Sequence, residues 1–277
     1  MGMRIATNLS SLAAQRQLNA TSSNQRDSME RLASGSRINK AADDAAGLAI
    51  SERMKGQIRS VRQDVRNAND GISMIQTAEG GMNEIGNILV RFRELSIQGA
   101  SDTLGDVERS FIDKEVQGLK GEINRIAAST EFNGKKLLGA SGEDVEIQVG
   151  VHNEPDQDRF KFDTRKTNVT LEALGLHELS TLTKESSRHN LEMVDNAMTS
   201  LVSNRAELGA LQNRLASTVN TLSVYDENLT AAKSRIRDTD MASETAELTK
   251  NNILSQAGIA VLSQANQNNM LALKLLG

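Results

Sequence analysis

The sequence contains no cysteine, no tryptophan, one tyrosine and one proline among its 277 residues. The absence of cysteine excludes a disulfide framework and a thiolate metal site. Aromatic residues make up only 2% of the chain, which is fewer than a typical enzyme core uses. With one proline, long helices can run uninterrupted, because proline breaks a helix interior. These deficits favour a long helical protein over a compact catalytic domain.

Excess positive charge and long apolar runs are also lacking. The formal net charge is −4, whereas a general nucleic-acid binder needs a basic face. No apolar run approaches the ~18 residues that a membrane-spanning helix requires. Residues 1–11 lack the apolar core of a secretory signal peptide. We therefore expect no nucleic-acid partner, no membrane anchor and no cleavable signal peptide.

Apolar residues repeat every seven positions in the second half of the chain. Such a repeat keeps one narrow stripe facing a partner along a helix. A helix over 188–233 would be roughly 70 Å long and needs partners of similar length. Stripes beginning at residue 54 and over 112–126 can supply them, with Glu79 and Arg205 as register-setting or solvent-edge interruptions. The predicted intrasubunit stripe residues are Met54, Ile58, Val61, Val65, Ile72, Ile75, Val194, Leu201, Leu208, Leu215, Leu222 and Leu229.

Only the middle of the chain has the alternation typical of strands. Val145, Ile147 and Val149 alternate with polar residues, and a turn-forming cluster at 153–156 precedes Phe160 and Phe162. This pattern predicts a β-hairpin over 144–163. The predicted fold is mainly α: a long antiparallel helical bundle or coiled-coil rod with a small β-hairpin region in mid-chain.

Several motifs in fixed order connect these segments. They are LASGSRIN at 32–39, DDAAGLAIS at 43–51, DGISMIQTAEG at 70–80, EFNGKKLL at 131–138, ENLTAA at 227–232, SRIRD at 234–238 and KNNILSQA at 250–257. This set closely resembles bacterial flagellin, over roughly 1–140 and 185–277. The resemblance implies an inner domain of terminal helices, 1–42 with 236–277, that lines a filament channel. It also implies a helical rod domain over 43–235, with a β-hairpin region at about 138–175 and little or no variable outer domain.

The resemblance implies a structural subunit that polymerises with itself into the flagellar filament for swimming. Its implied location is extracellular, after unfolded export through the flagellar type III apparatus. Implied partners are a secretion chaperone on the helix around 240–277 and the filament cap and hook-junction proteins. We expect 1–40 and 240–277 to order on polymerisation, because alone they bury too little apolar surface. Predicted polymerisation and chaperone-binding residues are Leu248, Leu254, Val261, Leu262, Leu271 and Leu275.

One segment also resembles the part of flagellin that the Toll-like flagellin receptor of animals binds. Arg91 and Leu95 occupy contact positions in this segment, and Glu115 matches a third contact. The alternative is that these are ordinary bundle-surface residues involved in subunit packing.

The sequence predicts no enzyme and no catalytic, cofactor-binding or metal-binding residue. His177 and Glu178 begin a zinc-protease-like pattern, but Thr181 stands where the second histidine would be needed. Asp43 and Asp44 are better explained by the start of a helix than by a catalytic pair. Two alternatives to a filament subunit remain at this point: a hook–filament junction protein and a helical-bundle binding or adhesin module.

Overall fold

The computed structural model describes residues 7–139 and 144–274. In this part of the chain, five helices account for most residues and four short strands form two hairpins. The elements are α1 (Leu9–Ser34), α2 (Ala45–Gly99), α3 (Asp106–Ser129), β1 (Glu131–Phe132), β2 (Lys135–Lys136), β3 (Asp144–Gln148), β4 (Arg159–Asp163), α4 (Lys184–Arg237) and α5 (Met241–Lys274). The predicted mainly α fold with a hairpin in mid-chain is confirmed.

The chain divides into two compact units. Unit 1 comprises Met1–Gly56 with Asn228–Gly277, and unit 2 comprises Gln57–Glu227. The division therefore falls inside the two longest helices, α2 and α4. The domain boundaries expected near residues 42 and 236 remain a prediction, because they describe roles in an assembly.

In unit 2, α2 and α4 run antiparallel. Arg62 Nε lies 3.0 Å from Asp226 Oδ2, and Arg93 Nε lies 2.9 Å from Asp195 Oδ1. Between these pairs, Arg205 Nη2 lies 3.5 Å from Glu79 Oε1, so the two charged interruptions of the stripes meet. Residue numbers rise along α2 as they fall along α4, which keeps the two apolar stripes facing each other.

Most of the predicted stripe residues are buried where these helices meet. The buried ones are Ile58, Val61, Ile75, Val194, Leu201, Leu208 and Leu215. The half-buried ones are Met54, Val65, Ile72, Leu222 and Leu229. Each fully buried Leu, Ile or Val contributes roughly 1.5–3 kcal/mol. We call the buried members of this set in unit 2, with the apolar residues packed on them, the α2–α4 core.

The β3–β4 hairpin packs on α2. Its antiparallel register pairs Val145 with Phe162 and Ile147 with Phe160, which confirms the predicted hairpin. Ile147 lies over Gly71 so closely that a Cβ there would come within 2.7 Å of Ile147 Cδ1. A glycine at this position thus lets the strand approach the helix.

The β1–β2 hairpin is an element that the sequence analysis did not predict. Asn133 and Gly134 both have positive φ, at 50° and 78°, between the paired strands. Asn-Gly is the preferred pair for a two-residue hairpin turn. The Asn-Gly pair within the motif at 131–138 therefore indicates this turn.

The two acidic residues at 43 and 44 immediately precede α2. Asp44 Oδ1 accepts from Gly47 N at 2.8 Å, and Asp43 Oδ2 accepts from the backbone N–H groups of Asn39 and Lys40 at 2.9 Å each. Those two N–H groups hold the pKa of Asp43 below its usual range. The predicted helix start is confirmed.

Candidate self-association surfaces

The two terminal helices of unit 1 form an antiparallel pair. Asn8 Nδ2 donates to Ala265 O at 3.0 Å near one end, and Gln25 Nε2 donates to Asn252 Oδ1 at 2.7 Å. Near the other end, Arg31 Nη1 lies 3.8 Å from Glu244 Oε2. The helices α1 and α5 thus stay paired over most of the length of α1.

Small and polar residues dominate the contact between α1 and α5. The least exposed positions recur at spacings of three and four, which is the coiled-coil repeat. They are Ser11, Ala14, Leu18, Thr21, Gln25, Ser28 and Leu32 on α1, with Glu244, Leu248, Asn251, Ser255, Gly258, Leu262 and Ala265 on α5. We call these residues the polar seam. Burial of such side chains removes little apolar area from water, so it stabilises the pair weakly.

Two polar atoms in the seam have no hydrogen-bond partner. Asn251 is 2% exposed and its Nδ2 is unpartnered, as is Glu244 Oε1. A buried donor or acceptor without a partner costs roughly 1–3 kcal/mol. This cost further lowers the stability of the α1–α5 pair.

Large apolar side chains of this pair face outward. The exposed ones are Leu9, Leu12 and Met29 on α1, and Met241, Ile253, Leu254, Ile259 and Val261 on α5. Apolar groups arranged in this way are typical of a surface that a partner covers. We call this set the outward apolar surface.

The residues predicted for polymerisation and chaperone binding divide between the two faces of α5. Leu254 and Val261 are exposed, and their spacing of seven places them on one side of the helix. Leu248 and Leu262 are half-buried in the polar seam. The side chain of Leu271 and the whole of Leu275 lie outside the described residues. Sequence reasoning did not select Ile253, Ile259 or Met241.

A charged surface on unit 2 contains two of the three predicted receptor contacts. Arg91 Nε donates to Glu115 Oε1 at 2.8 Å, and Arg91 Nη1 lies 2.8 Å from Glu94 Oε2. These two carboxylates raise the pKa of Arg91. Leu95 instead packs in the core with 1% of its surface exposed. Its side chain is not on this surface, so the receptor prediction is kept for Arg91 and Glu115 alone.

The remaining candidate chemistry is sparse. His177 Nε2 lies 3.5 Å from Glu178 Oε1 at the surface, and Thr181 is buried. Within residues 7–139 and 144–274, no three His, Asp or Glu side chains come together as metal ligands would. In the same ranges, none of the helices has a segment both long and apolar enough to cross a bilayer.

Comparison with known proteins gives the family. The model of the bacterial flagellin N-terminal helical region matches residues 5–143, and that of the C-terminal helical region matches 191–276. The flagellin of Bacillus subtilis (strain 168) is 43% identical over 99% of this chain and 100% of its own length. The flagellar filament 30.7 kDa core protein of Treponema maltophilum is 40% identical, with the same coverage of both chains.

A solved structure agrees with these matches. The crystal structure of Bacillus cereus flagellin superposes with a TM-score of 0.51 at 28% identity, covering 61% of this chain and 94% of that one. Both terminal regions of the family, in their usual order, are therefore present in a chain with only a short segment between them. This chain belongs to the bacterial flagellin family.

Proposed function

We propose that this flagellin polymerises with copies of itself into the filament of a bacterial flagellum. The proposal rests on the arrangement of side chains in the α1–α5 pair, which is the reverse of that in an ordinary helix pair. Small and polar side chains predominate between the two helices, and large apolar side chains lie on the outside. The name of the Treponema relative, a filament core protein, supports the same assignment.

The physics of a helical polymer explains why such a pair is useful. A filament that does not close on itself needs complementary surfaces on opposite sides of each subunit. If neighbours cover the outward apolar surface, assembly supplies the free energy that the polar seam does not. Ordering of 1–40 and 240–277 would then be coupled to polymerisation. In this proposal, 1–42 with 236–277 form the inner domain and 43–235 form the rod domain.

The same surface suggests the partners that act before and during assembly. A secretion chaperone would cover the exposed apolar face of α5 inside the cell, since that face would otherwise promote association. Export of the unfolded chain through the flagellar type III apparatus would then deliver it to the cell exterior, without a cleavable signal peptide. The filament cap and the hook-junction proteins would contact the subunits at the two ends of the filament.

Binding by a Toll-like flagellin receptor is a separate proposal. Arg91 and Glu115 are exposed and already joined by an ion pair, so they present a fixed charged surface on unit 2. The proposed role of the protein itself is structural, because the exposed apolar surface suits assembly.

Electron microscopy of the concentrated protein tests the main proposal. Long filaments are expected from the wild-type chain. Val261→Ser should raise the concentration needed for polymerisation about tenfold, since it removes apolar area from a side chain that is 58% exposed and that neighbours would cover. Val151→Ser, at a 38% exposed position in the β3–β4 hairpin loop, is the matched control and should polymerise normally.

The other outcomes separate the alternatives. Short rings would indicate a hook–filament junction protein, and a persistent monomer would indicate a binding module. Equal polymerisation of Val261→Ser and wild type would remove α5 from the proposed contact.

A further inference from the structure

A buried carboxylate, Asp64, lies on the side of α2 that the β3–β4 hairpin covers. Asn67 Nδ2 donates to Gln148 O at 3.1 Å, and Gly71 lies beneath Ile147. Positions 64, 67 and 71 share one face of the helix, because they are spaced by three and four. Asp64 therefore lies on this face one helical turn before Asn67, beside the loop 149–158 that connects the two strands. It is 5% exposed and its Oδ2 has no hydrogen-bond partner.

A second buried carboxylate, Asp158, closes that loop. Its backbone N–H donates to Glu154 O at 2.9 Å, and its carbonyl accepts from Val149 N at 2.8 Å. Its side-chain Oδ2 accepts from Glu154 N at 3.0 Å. A Cβ on Gly150 would collide with Asp158 Oδ1, so the glycine leaves the space that this carboxylate occupies. Asp158 is 9% exposed, and its charge acts on Asp64.

The basic side chains nearest in sequence to the two carboxylates have other partners. Arg62 pairs with Asp226 of α4, Arg66 donates to Gln63 of α2, and Arg159 of β4 pairs with Glu146 of β3. The loop also contains His152, whose carbonyl accepts from Gln148 Nε2. Burial, and then repulsion by Asp158, raises the pKa of Asp64 above its ordinary value.

We propose that Asp64 and Asp158 form a proton-dependent clasp that holds loop 149–158 on α2. When Asp64 is protonated, the buried site carries one negative charge and the loop packs on the helix. When both groups are ionised, two like charges repel in a poorly solvated site, and the loop separates to admit water.

The direction of the pH effect follows from linkage. A raised pKa in the folded state means that the packed loop binds its proton more tightly than the open chain does. Packing is therefore strongest at low pH, and it weakens as the pH rises from the ordinary aspartate pKa through the raised pKa of Asp64. Two carboxylates are few ligands for Ca²⁺, which takes about 6–8 oxygens, so a proton fits this site better than a cation.

Hydrogen exchange of the full-length monomer tests the clasp. Peptides covering 145–160 are compared between about pH 4, near the ordinary aspartate pKa, and about pH 8 after correction for the intrinsic exchange rate, with α3 peptides as the internal reference. The wild-type loop should lose protection across this range, by up to about tenfold for each unit by which the pKa of Asp64 exceeds the ordinary aspartate value. Asp64→Asn should keep the low-pH protection throughout, because the amide cannot ionise.

The matched control is Asp163→Asn in the same hairpin. Asp163 is half-buried and its Oδ1 lies 3.1 Å from Arg165 Nε, so it has a cationic partner that Asp64 lacks, and this variant should show the wild-type pH response. A wild-type loop whose protection does not change with pH would overturn the proposal. So would an Asp64→Asn loop that is unprotected at every pH. Protection at high pH that millimolar calcium restores and a chelator abolishes would identify a cation site and overturn it as well.

Discussion

The α2–α4 core and the polar seam are both antiparallel helix pairs, yet they bury opposite kinds of side chain. In the core, leucines and valines at heptad spacing lie inside, and the charged residues Arg93 and Asp195 pair at the surface. In the α1–α5 pair, Thr21, Ser28 and Asn251 lie inside. Helix pairing alone therefore does not indicate stability. The core is buried within one subunit, whereas the terminal pair would, in the proposed filament, gain its stability when other molecules cover it.

The largest expected difference in stability comes from replacing one leucine with alanine in each helix pair. Leu208→Ala in the α2–α4 core should lower the free energy of unfolding by about 2–5 kcal/mol, because it leaves a cavity among buried side chains. Leu248→Ala in the polar seam should cost about 1 kcal/mol or less, because Leu248 is only half-buried. Urea unfolding followed by circular dichroism measures both. Equal costs would contradict the contrast between the two pairs.

An intermediate effect should follow from replacing the unpartnered amide of the seam. Asn251→Leu removes a buried donor that lacks an acceptor and adds apolar contact, so it should stabilise the α1–α5 pair by roughly 1–3 kcal/mol. Hydrogen exchange should then show slower exchange over 9–34 in the monomer. Asn252→Leu is the control: it removes the acceptor of Gln25 Nε2, so it should give no such protection.

The smallest effect on stability is expected on the charged surface of unit 2. Arg91→Ala breaks two exposed ion pairs, and exposed pairs contribute little because water and salt screen them. Unfolding should barely change, whereas affinity for the Toll-like receptor should fall at least about tenfold if Arg91 is a contact. Arg93→Ala breaks a similar exposed pair with Asp195 and serves as the control. Equal affinities of both variants and the wild type would remove the receptor proposal.

Periodicity predicted the helices and the main hairpin because these elements bury one apolar face. The spacing of Leu201, Leu208 and Leu215 and the alternation of Val145, Ile147 and Val149 needed no further information. The sequence analysis did not predict the polar seam, because it selected only leucines and a valine on α5. A repeat of small and amide residues at spacings of three and four, such as Asn251, Ser255 and Gly258, would have indicated it.

Two other features depended on contacts that the sequence does not show. Leu95 was placed among the receptor contacts by resemblance, although Phe92 and Leu95 are three residues apart and belong to one buried helix face. Asp64 resembles an ordinary solvent-facing residue of a long helix. It becomes buried because the hairpin, more than eighty residues away in sequence, packs over it. Only the tertiary structure reveals that unusual environment.

The contact between Arg37 and the last residues of α4 has a consequence for the order of folding. Arg37 donates to the carbonyl of Ile236, a residue 199 positions away, and the backbone N–H of Arg37 donates to Arg237 O at 2.6 Å. Contacts so distant in sequence form slowly, because a long loop must close first. If the chain is exported through a narrow channel as proposed, it cannot complete unit 1 until nearly all of it has emerged. The terminal helices would thereby stay available for a neighbouring subunit until the last step of delivery.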